Sequence, residues 1–336
     1  MQQMTAVRLH GPSNLQVEQV PHPGAPSAGE VLLRVLATGV CGSDLHPYET
    51  GTIGSTQLDS PLVLGHEFAG VVEQVGEGVA LAVGTRVAVD PLINCGRCDG
   101  CESGNPNLCR NQSFAGLWPQ DGSLRQWMRV PARNCFPISD QMSDAEAALL
   151  EPLGIALHAT DLARIRVGSS VAIFGAGPIG LCLAQTVRIA GASPVYVSEP
   201  LGWRMKAAQK YGALPLPLPL KVEVDVAIEA AWAKESVQQA MDSLRPGGTL
   251  VLVGIPFEDT VSFKHSTARR KGLTILMCRR MKRVYPRTIA LVESGQVDLK
   301  GMITHRFPLE QVPEAFRMNA AYEGEVVKTV IEYPVG

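Results

Sequence analysis

The sequence predicts an α/β plus β protein, in which a partly open β-barrel precedes a doubly wound parallel sheet and a tail returns to the barrel. Two observations predict this fold class. Short β-rich runs separated by glycine and proline turns fill the first part of the chain, and strands alternate with helices in the second. The 336 residues, 46% of them hydrophobic, are enough for two domains of ordinary size.

The barrel is predicted from five runs with strand composition, at residues 5–9, 15–20, 30–39, 68–75 and 85–89. After them, Ser143 and Glu146 have the spacing of a capping box at the start of a helix. Pro152 is expected to end that helix near residue 150, because proline disfavours helical geometry in the residue before it. We therefore place the first domain at residues 1–153.

The alternating pattern begins beyond Pro152 and predicts a doubly wound parallel sheet at residues 154–283. Apolar strands are expected at residues 171–174, 194–198, 224–229, 249–255 and 273–278, with helices at 203–211 and 235–244. Leucine alternates with proline at 214–220, which excludes an ordinary helix and predicts that the strand and helix expected there are abbreviated, so that this domain would lack an element on one side. The tail, 284–336, is expected to contain helices at 286–294 and 309–321 and a strand at 326–333.

Charge and hydropathy exclude several classes of partner. The formal net charge of −2 provides no general attraction to nucleic acid or to anionic membranes. The apolar run at 170–187 has the length of a membrane span, but its glycines and Pro178 favour a buried strand, a tight turn and a packed helix. Residues 1–12 lack the pattern of a secretory signal, so we expect a cytoplasmic protein with reduced cysteines and a small-molecule partner.

Four cysteines within one short stretch have the spacing of a closed zinc site: Cys95, Cys98, Cys101 and Cys109. Four thiolates around one tetrahedral Zn²⁺ leave no open position for substrate, so the predicted role is structural. Two disulfides or unconnected buried thiols are the alternative, and such tight spacing in a reducing compartment favours the metal.

A glycine-rich turn between a predicted strand and a predicted helix indicates a dinucleotide site. Gly175 permits the turn, Gly177 lets the backbone approach a pyrophosphate, and Gly180 allows close packing of the helix that opens at Pro178 and Ile179. The alternative is a glycine turn in an α/β protein without a nucleotide.

Two side chains beyond this turn bear on the choice of cofactor. Glu199 follows the next strand, at the offset expected for a group that holds the adenosine ribose hydroxyls. Its charge would repel a 2′-phosphate, which favours NAD over NADP. Arg204 is the opposing signal because arginine can accept that phosphate, although it could also be a solvated helix residue.

Three dispersed segments together contain the thiolate, imidazole and carboxylate ligands of an open, catalytic zinc. Taken singly, Cys41 could be a small buried apolar residue, His66 a hydrogen-bonded histidine, and Glu67 an ion-pair partner. Glu151 is harder to explain in this way, since it directly follows an apolar run and a carboxylate is costly to bury without a cation or hydrogen bonds.

Six motifs follow one another over nearly the whole chain: the Cys41-Gly-Ser-Asp segment, Gly65-His66-Glu67, the four-cysteine lobe, Glu151-Pro152-Leu153, the glycine turn and Arg245-Pro246-Gly247-Gly248. With these motifs in this order, the sequence resembles the zinc-dependent medium-chain alcohol dehydrogenases, most closely their sorbitol and polyol dehydrogenase branch. The resemblance implies a GroES-like barrel interrupted by a Rossmann domain, an active site in the cleft between them, and a homo-oligomer, dimer or tetramer. The strand at 273–278 is an edge through which copies could pair.

The resemblance also implies the metal ligands and the mechanism. Cys41, His66 and one or both of Glu67 and Glu151 would hold the catalytic zinc, with a glutamate ligating directly or through water. Zinc would stabilise the alkoxide of a secondary alcohol and favour departure of a hydride to nicotinamide.

Proton transfer and substrate contacts complete the implied site. Ser43 would relay the hydroxyl proton and His46 would be the onward acceptor, with a turn hydrogen bond and a surface histidine as the alternatives. The remaining implied positions are substrate contacts, of which the aromatic ones could instead be core: Tyr48, Phe114, Trp118 and Arg280. The basic run 279–283 departs from the branch and could indicate an acidic or phosphorylated substrate, a solvated face or a subunit contact.

The leading hypothesis is therefore the zinc-dependent oxidation of a secondary alcohol, a polyol or sugar alcohol, to its ketone with NAD. A threonine-type or short-chain alcohol dehydrogenase is the nearest alternative. A non-catalytic dinucleotide-binding protein is the alternative from another class.

Overall fold

The computed structural model describes residues 2–53, 56–57, 59–217, 222–231, 233–256 and 260–334. The strands are β1 (Gln3–Leu9), β2 (Leu15–Pro21), β3 (Glu30–Gly39), β4 (Thr52–Ile53), β5 (Thr56–Gln57), β6 (Leu62–Val63), β7 (Glu67–Val75), β8 (Arg86–Val89), β9 (Leu92–Ile93), β10 (Ser113–Phe114), β11 (Trp127–Pro131), β12 (Cys135–Pro137), β13 (Val171–Phe174), β14 (Val195–Ser198), β15 (Leu214–Pro215), β16 (Val224–Glu229), β17 (Leu244–Leu252), β18 (Thr274–Met277), β19 (Ile303–Pro308) and β20 (Lys328–Glu332). The α-helices are α1 (Gly42–Thr50), α2 (Asp99–Glu102), α3 (Asp144–Ala148), α4 (Leu150–Ala163), α5 (Pro178–Ile189), α6 (Gly202–Lys210), α7 (Ser236–Ser243), α8 (His265–Lys271), α9 (Tyr285–Glu293) and α10 (Val312–Ala320).

The chain forms two compact units. The first contains Met1–Glu151 and Tyr285–Gly336, and the second contains Pro152–Val284. None of the helices in the described part of the chain combines the length and the apolarity that a bilayer crossing requires.

The first unit is built around a seven-stranded sheet in the order β12-β8-β7-β3-β20-β19, with β11 also paired to β3. Its pairings are antiparallel except for the parallel pair β19 and β20. The central strand β3 is almost wholly buried, and its Leu33 and Val35 join Phe68 of β7 and Phe316 of α10 in one hydrophobic core. This arrangement brings the ends of β7, β3 and β20 side by side.

The second unit contains a parallel sheet in the order β15-β14-β13-β16-β17-β18. The direction of strand order reverses between β13 and β16, which confirms the predicted doubly wound topology. Both strands are largely buried along their length, as expected for parallel strands covered on both faces. Phe174, Met241 and Leu250 lie in the core of this unit.

One local prediction needs correction. The helix that starts at the capping box, α3, ends at Ala148, close to the predicted end. Pro152 does not stop helical structure there, however, because a second helix that was not predicted, α4, begins at Leu150 and includes Pro152 in its first turn. Proline is tolerated there, since the N–H groups of a first turn have no partner within the helix. The edge strand of the sheet is short, as the leucine-proline stretch predicts: β15 consists of Leu214 and Pro215, which pair with β14. Residues 218–221 of the leucine-proline stretch lie outside the described residues.

Other predicted elements differ mainly at their ends. The strand predicted at 249–255 starts earlier, as β17, and stops at Leu252. The capping box at Ser143 and Glu146 is present at the start of α3. Helices α1 and α8 were not predicted; α1 is short, contains Pro47 and begins directly after Cys41.

Candidate metal centres and dinucleotide site

The predicted catalytic ligands Cys41, His66 and Glu67 meet in the first unit. Cys41 caps the start of α1 and Glu67 begins β7, whose first residue pairs with Gly39 at the end of β3. One ligand atom from each of the three residues lies within 4.8 Å of the others. Thiolate, imidazole and carboxylate are donors that zinc accepts, and three protein ligands leave a fourth position open, so these residues fit a catalytic zinc.

Asp44 orients the imidazole of His66. Its Oδ1 lies 3.2 Å from His66 Nδ1, and its Oδ2 accepts a hydrogen bond from the backbone N–H of Cys41 at 3.3 Å. Burial lowers the pKa of His66, but the negative charges of Asp44 and Cys41 outweigh burial and raise that pKa well above its ordinary value. With Nδ1 facing a carboxylate, Nε2 is the nitrogen free to face a metal.

Ser43 lies beside the same cluster. Its Oγ donates to Cys41 Sγ at 3.3 Å and lies 3.4 Å from His66 Nε2. His46, one turn further along α1, is partly buried, and burial lowers its pKa. The hydroxyl is therefore positioned next to two of the three candidate ligands.

Glu67 forms a buried ion pair with Lys328 at the start of β20, and both side chains are 1% exposed. Lys328 Nζ also donates to the carbonyl of Val40 at 2.8 Å. Gly39 lies between the two partners: a Cβ there would collide with Glu67 Oε2 and lie 3.1 Å from Lys328 Cε. Burial lowers the pKa of Lys328, but Glu67 and Cys41 outweigh it and raise that pKa.

Glu151 is buried near this cluster without belonging to the group of mutually close ligand atoms. Burial, with the charges of Glu67 and Asp90, raises the pKa of Glu151 to about 8 against the opposing effect of His66. Of the two predicted carboxylates, Glu67 is thus the one that the structure places with Cys41 and His66.

The predicted substrate residues lie in different surroundings. The Phe114 ring is 5.3 Å from the His66 ring, centroid to centroid. Tyr48 is buried edge-on against Phe316 at 5.5 Å, and Trp118 packs on the same hydrophobic core. Arg280 belongs to the second unit and has a left-handed backbone, with φ of 52°.

The four-cysteine lobe also fits a metal. Its ligand atoms all lie within 4.8 Å of one another, and the Sγ–Sγ distances include 3.6 Å for Cys98–Cys101 and 3.5 Å for Cys95–Cys109. A disulfide would require about 2.05 Å, and all four thiols are free. Backbone N–H groups of Arg110 and Cys101 lower the pKa of Cys98 to about 6, which favours the thiolate that zinc binds.

Two glycines of the turn in the second unit, Gly175 and Gly180, have a steric reason. Gly175 follows β13 with φ of 102°, in the region that favours glycine. A Cβ on Gly180 would collide with the carbonyl of Gly175. Gly177 is the N-cap of α5, whose first two residues are Pro178 and Ile179. A Cβ on Gly177 would lie 3.7 Å from Arg204 Nη1, which is an ordinary van der Waals contact.

Glu199 is tied to this turn. Its Oε2 accepts from the backbone N–H of Ala176 at 2.7 Å, and its Oε1 accepts from that of Leu201 at 2.9 Å. An acid and a base, Glu199 and Arg204, therefore flank a helix N-terminus that favours anions.

Sequence reasoning missed two residues of the first-unit cluster. Asp44 had a local signal, because it stands three residues after Cys41 and caps the same helix. Lys328 had none, since its partner Glu67 lies in a strand far away along the chain.

Comparison with known proteins identifies the family. The protein-family model "Alcohol dehydrogenase GroES-like domain" matches residues 27–140, and the protein-family model "Zinc-binding dehydrogenase" matches residues 178–294. Sorbitol dehydrogenase of Bacillus subtilis (strain 168) is 34% identical over 347 residues, covering 99% of this chain and 98% of that protein. Probable D-xylulose reductase A of Aspergillus clavatus is 37% identical over 342 residues, covering 96% and 95%.

A solved structure agrees with these matches. The zinc-binding dehydrogenase of Sinorhizobium meliloti 1021, bound to NADP, has 33% identity and a TM-score of 0.89, and the match covers 99% of this chain and 100% of that one. The predicted GroES-like barrel and Rossmann sheet are confirmed. This chain is an oxidoreductase that belongs to the zinc-dependent medium-chain alcohol dehydrogenases, in their sorbitol and polyol dehydrogenase branch.

Proposed function

We propose that this protein oxidises a secondary alcohol of a polyol or sugar alcohol to the ketone, with zinc and NAD. The convergence of Cys41, His66 and Glu67 carries the proposal, because it supplies an open donor set with the Ser43 hydroxyl beside it. The names of the similar proteins, sorbitol dehydrogenase and D-xylulose reductase, favour a polyol as substrate.

The residues of the first unit would divide the work as follows. Cys41, His66 and Glu67 would hold the zinc, with Glu151 as the alternative carboxylate. Bound there, zinc would supply a Lewis acid that favours the alkoxide form of the alcohol. Ser43 would accept the hydroxyl proton of the substrate and pass a proton on toward His46.

The charge at this site is balanced by the protein itself. Lys328 offsets the negative charge of Glu67, and Asp44 keeps the imidazole of His66 oriented with Nε2 toward the ligand cluster. NAD would supply the hydride acceptor, held at the glycine turn by Gly177 and Glu199. In this proposal residues 1–153 and 284–336 form the catalytic domain, and 154–283 bind the cofactor.

A second, structural zinc is proposed for the four-cysteine lobe, where all four donors are sulfurs and none is left for substrate. Loading with metal would hold the lobe together, since binding energy of this kind is folding energy.

Substrate oxidation is tested by measuring NADH formation with a panel of polyols, sugar acids, threonine and short alcohols. We expect turnover with polyols, and loss of nearly all turnover in Cys41→Ser with the fold retained. Cys278→Ser, which changes a free thiol outside both clusters, is the matched control. Near-normal turnover in Cys41→Ser would contradict the proposal. Preference for threonine or short alcohols would favour the alternative dehydrogenases, and no turnover at all would favour a non-catalytic protein.

NAD is proposed over NADP because the Glu199 carboxylate borders the turn. The repulsion between this carboxylate and one negative charge of a 2′-phosphate about 4 Å away would be roughly 4 kcal/mol at the effective dielectric constant of a protein surface. The NADP bound to the similar Sinorhizobium protein makes a direct comparison necessary. Glu199→Gln keeps an acceptor oxygen and removes the charge, so it should lower the ratio of kcat/KM for NAD to that for NADP. An unchanged ratio would contradict this role.

Self-association is proposed through the edge strand β18. This strand ends the parallel sheet, and its Met277 is 68% exposed. Exposed strand edges can pair with a second copy about a two-fold axis. Met277→Lys should shift the protein toward monomer in sedimentation velocity, whereas Val167→Lys, at a position 92% exposed, should not. A monomeric unaltered protein would contradict the proposal.

A further inference from the structure

We propose that Glu229 is a positioning residue of the dinucleotide site, whose buried carboxylate holds the connection after β16 against the glycine turn. The connection then forms the second wall of the nucleotide crevice. This inference rests on the proposed function, because it takes a nicotinamide dinucleotide to be the ligand of the turn.

The topology of the sheet places Glu229 at the expected ligand position. Strand order reverses between β13 and β16, and ligands of doubly wound sheets bind outside the carboxyl ends of the strands at this switch point. Phe174 and Glu229 are the last residues of the two strands and are paired in register. Gly175 follows one strand end, and the connection that starts with Ala230 follows the other.

The connection is in direct contact with the glycine turn. The backbone N–H of Ala230 donates to the carbonyl of Phe174 at 2.8 Å. A Cβ built on Gly175 would lie 2.9 Å from the carbonyl oxygen of Ala230 and 3.0 Å from Cα of Ala231. Any displacement of Ala230 and Ala231 would therefore change the shape of the crevice at the turn itself.

Glu229 holds this connection through one carboxylate oxygen. Its Oε1 accepts from the backbone N–H of Ala231 at 2.9 Å and from Ser236 Oγ, at the start of α7, at 2.7 Å. Glu229 and Ser236 are each 3% exposed. The main-chain carbonyl of Glu229 also accepts from Val253 and Gly254 after β17. A side chain without an acceptor would remove this partner of the Ala231 N–H, and it would leave the Ser236 hydroxyl with the carbonyl of Ala233, at 2.6 Å, as its acceptor.

The role of Glu229 is to shape the wall and not to touch the reacting atoms. The candidate zinc ligands and Ser43 belong to the first unit, whereas Glu229 belongs to the second. Loss of the carboxylate should therefore weaken cofactor binding more than it lowers turnover at saturating cofactor. A tenfold loss of affinity corresponds to about 1.4 kcal/mol, which is comparable to the contribution of one hydrogen bond to a charged group.

The experiment uses the zinc-loaded protein and measures the Kd for NADH by fluorescence titration, together with KM for NAD and kcat. Glu229→Met removes the hydrogen-bond acceptor and keeps a side chain of similar length, whereas Glu229→Gln keeps an acceptor oxygen on the side chain. Ser236→Ala removes one of the two donors. The matched control is Ser243→Ala, which removes a buried hydroxyl at the other end of α7 that donates to Ala240.

We expect Glu229→Met to raise the Kd for NADH about tenfold with a smaller change in kcat. Glu229→Gln should recover most of the affinity, Ser236→Ala should be intermediate, and Ser243→Ala should be unchanged. All titrations are made below the onset of thermal unfolding of each variant. If Glu229→Met does not fold, the same comparison of Ser236→Ala with Ser243→Ala decides the question.

Two outcomes overturn the inference. A Kd within twofold of the unaltered protein in folded Glu229→Met or Ser236→Ala would show that the connection needs no carboxylate. Equal weakening in Ser243→Ala would show a general loss of stability instead of positioning. An unaltered protein that binds neither NADH nor NADPH would overturn the proposed function itself, which is a separate result.

Discussion

The buried ion pair of Lys328 and Glu67 predicts a large effect of a single substitution. Both side chains are 1% exposed, and Lys328 Nζ has Glu67 and the carbonyl of Val40 as its partners. Lys328→Met keeps most of the aliphatic stem and removes the cation, so that Glu67 stays buried without it. Removing one partner of a buried pair costs about 3–5 kcal/mol, because an uncompensated charge remains in the interior.

This free energy corresponds to a measurable shift in the unfolding temperature. The first unit contains roughly 200 residues, and for that size 1 kcal/mol changes Tm by about 2–4 °C. We therefore expect Lys328→Met to lower the Tm of the first unit by about 6–20 °C in calorimetry of the zinc-free protein at neutral pH, where no metal ion compensates Glu67. The double variant Lys328→Met with Glu67→Gln should recover much of the loss, since it removes the stranded charge.

The control is a surface pair in the same sheet. Arg306 and Glu332 form an ion pair with side chains 44% and 47% exposed, and Arg306→Met should cost less than about 1 kcal/mol. If Lys328→Met costs no more than Arg306→Met, or if the double variant is no more stable than Lys328→Met alone, the reasoning from burial is refuted.

Two further predictions concern other parts of the chain. Cys98→Ser should lower the zinc content by one equivalent per chain, measured by metal analysis, and lower Tm, measured by calorimetry. The control variant Cys278→Ser should retain all the zinc. Equal zinc content in both variants would contradict a metal in the lobe. Hydrogen bonds from the backbone and hydroxyl of Ser170, with the charge of Arg245, lower the pKa of Asp225 to about 2. Because this folded-state pKa is depressed, its stabilisation is present above about pH 4 and is lost as pH falls toward 2. Asp225→Asn should therefore be less stable than the unaltered protein at neutral pH by roughly 1 kcal/mol, after allowance for solvent screening. Unfolding curves measured in acid should show a smaller difference in stability between the two proteins. A difference that does not change with pH would contradict the charge of Asp225 as its cause.

Elements with strong local signals could be predicted from the sequence nearly to the residue. Strand β3 was predicted with the bounds it has, and the glycine turn lies between β13 and α5 as expected. Signals from proline were less reliable, because the effect of Pro152 depends on whether it falls inside a helix or in its first turn.

The sequence by itself determined the two-part fold class, the four-cysteine lobe, the dinucleotide turn and the candidate zinc ligands. The fold class, the lobe and the turn depend on residue types at short, regular spacings, which hydrophobic periodicity and turn chemistry reveal without the rest of the chain. The zinc ligands are dispersed along the chain and depend on the order of motifs that carries the family resemblance. Only the tertiary structure decided which carboxylate stands with Cys41 and His66, and which cation balances it. The reason is that β7, β3 and β20 are neighbours in the sheet but distant in the chain, and a contact between distant segments leaves no local pattern.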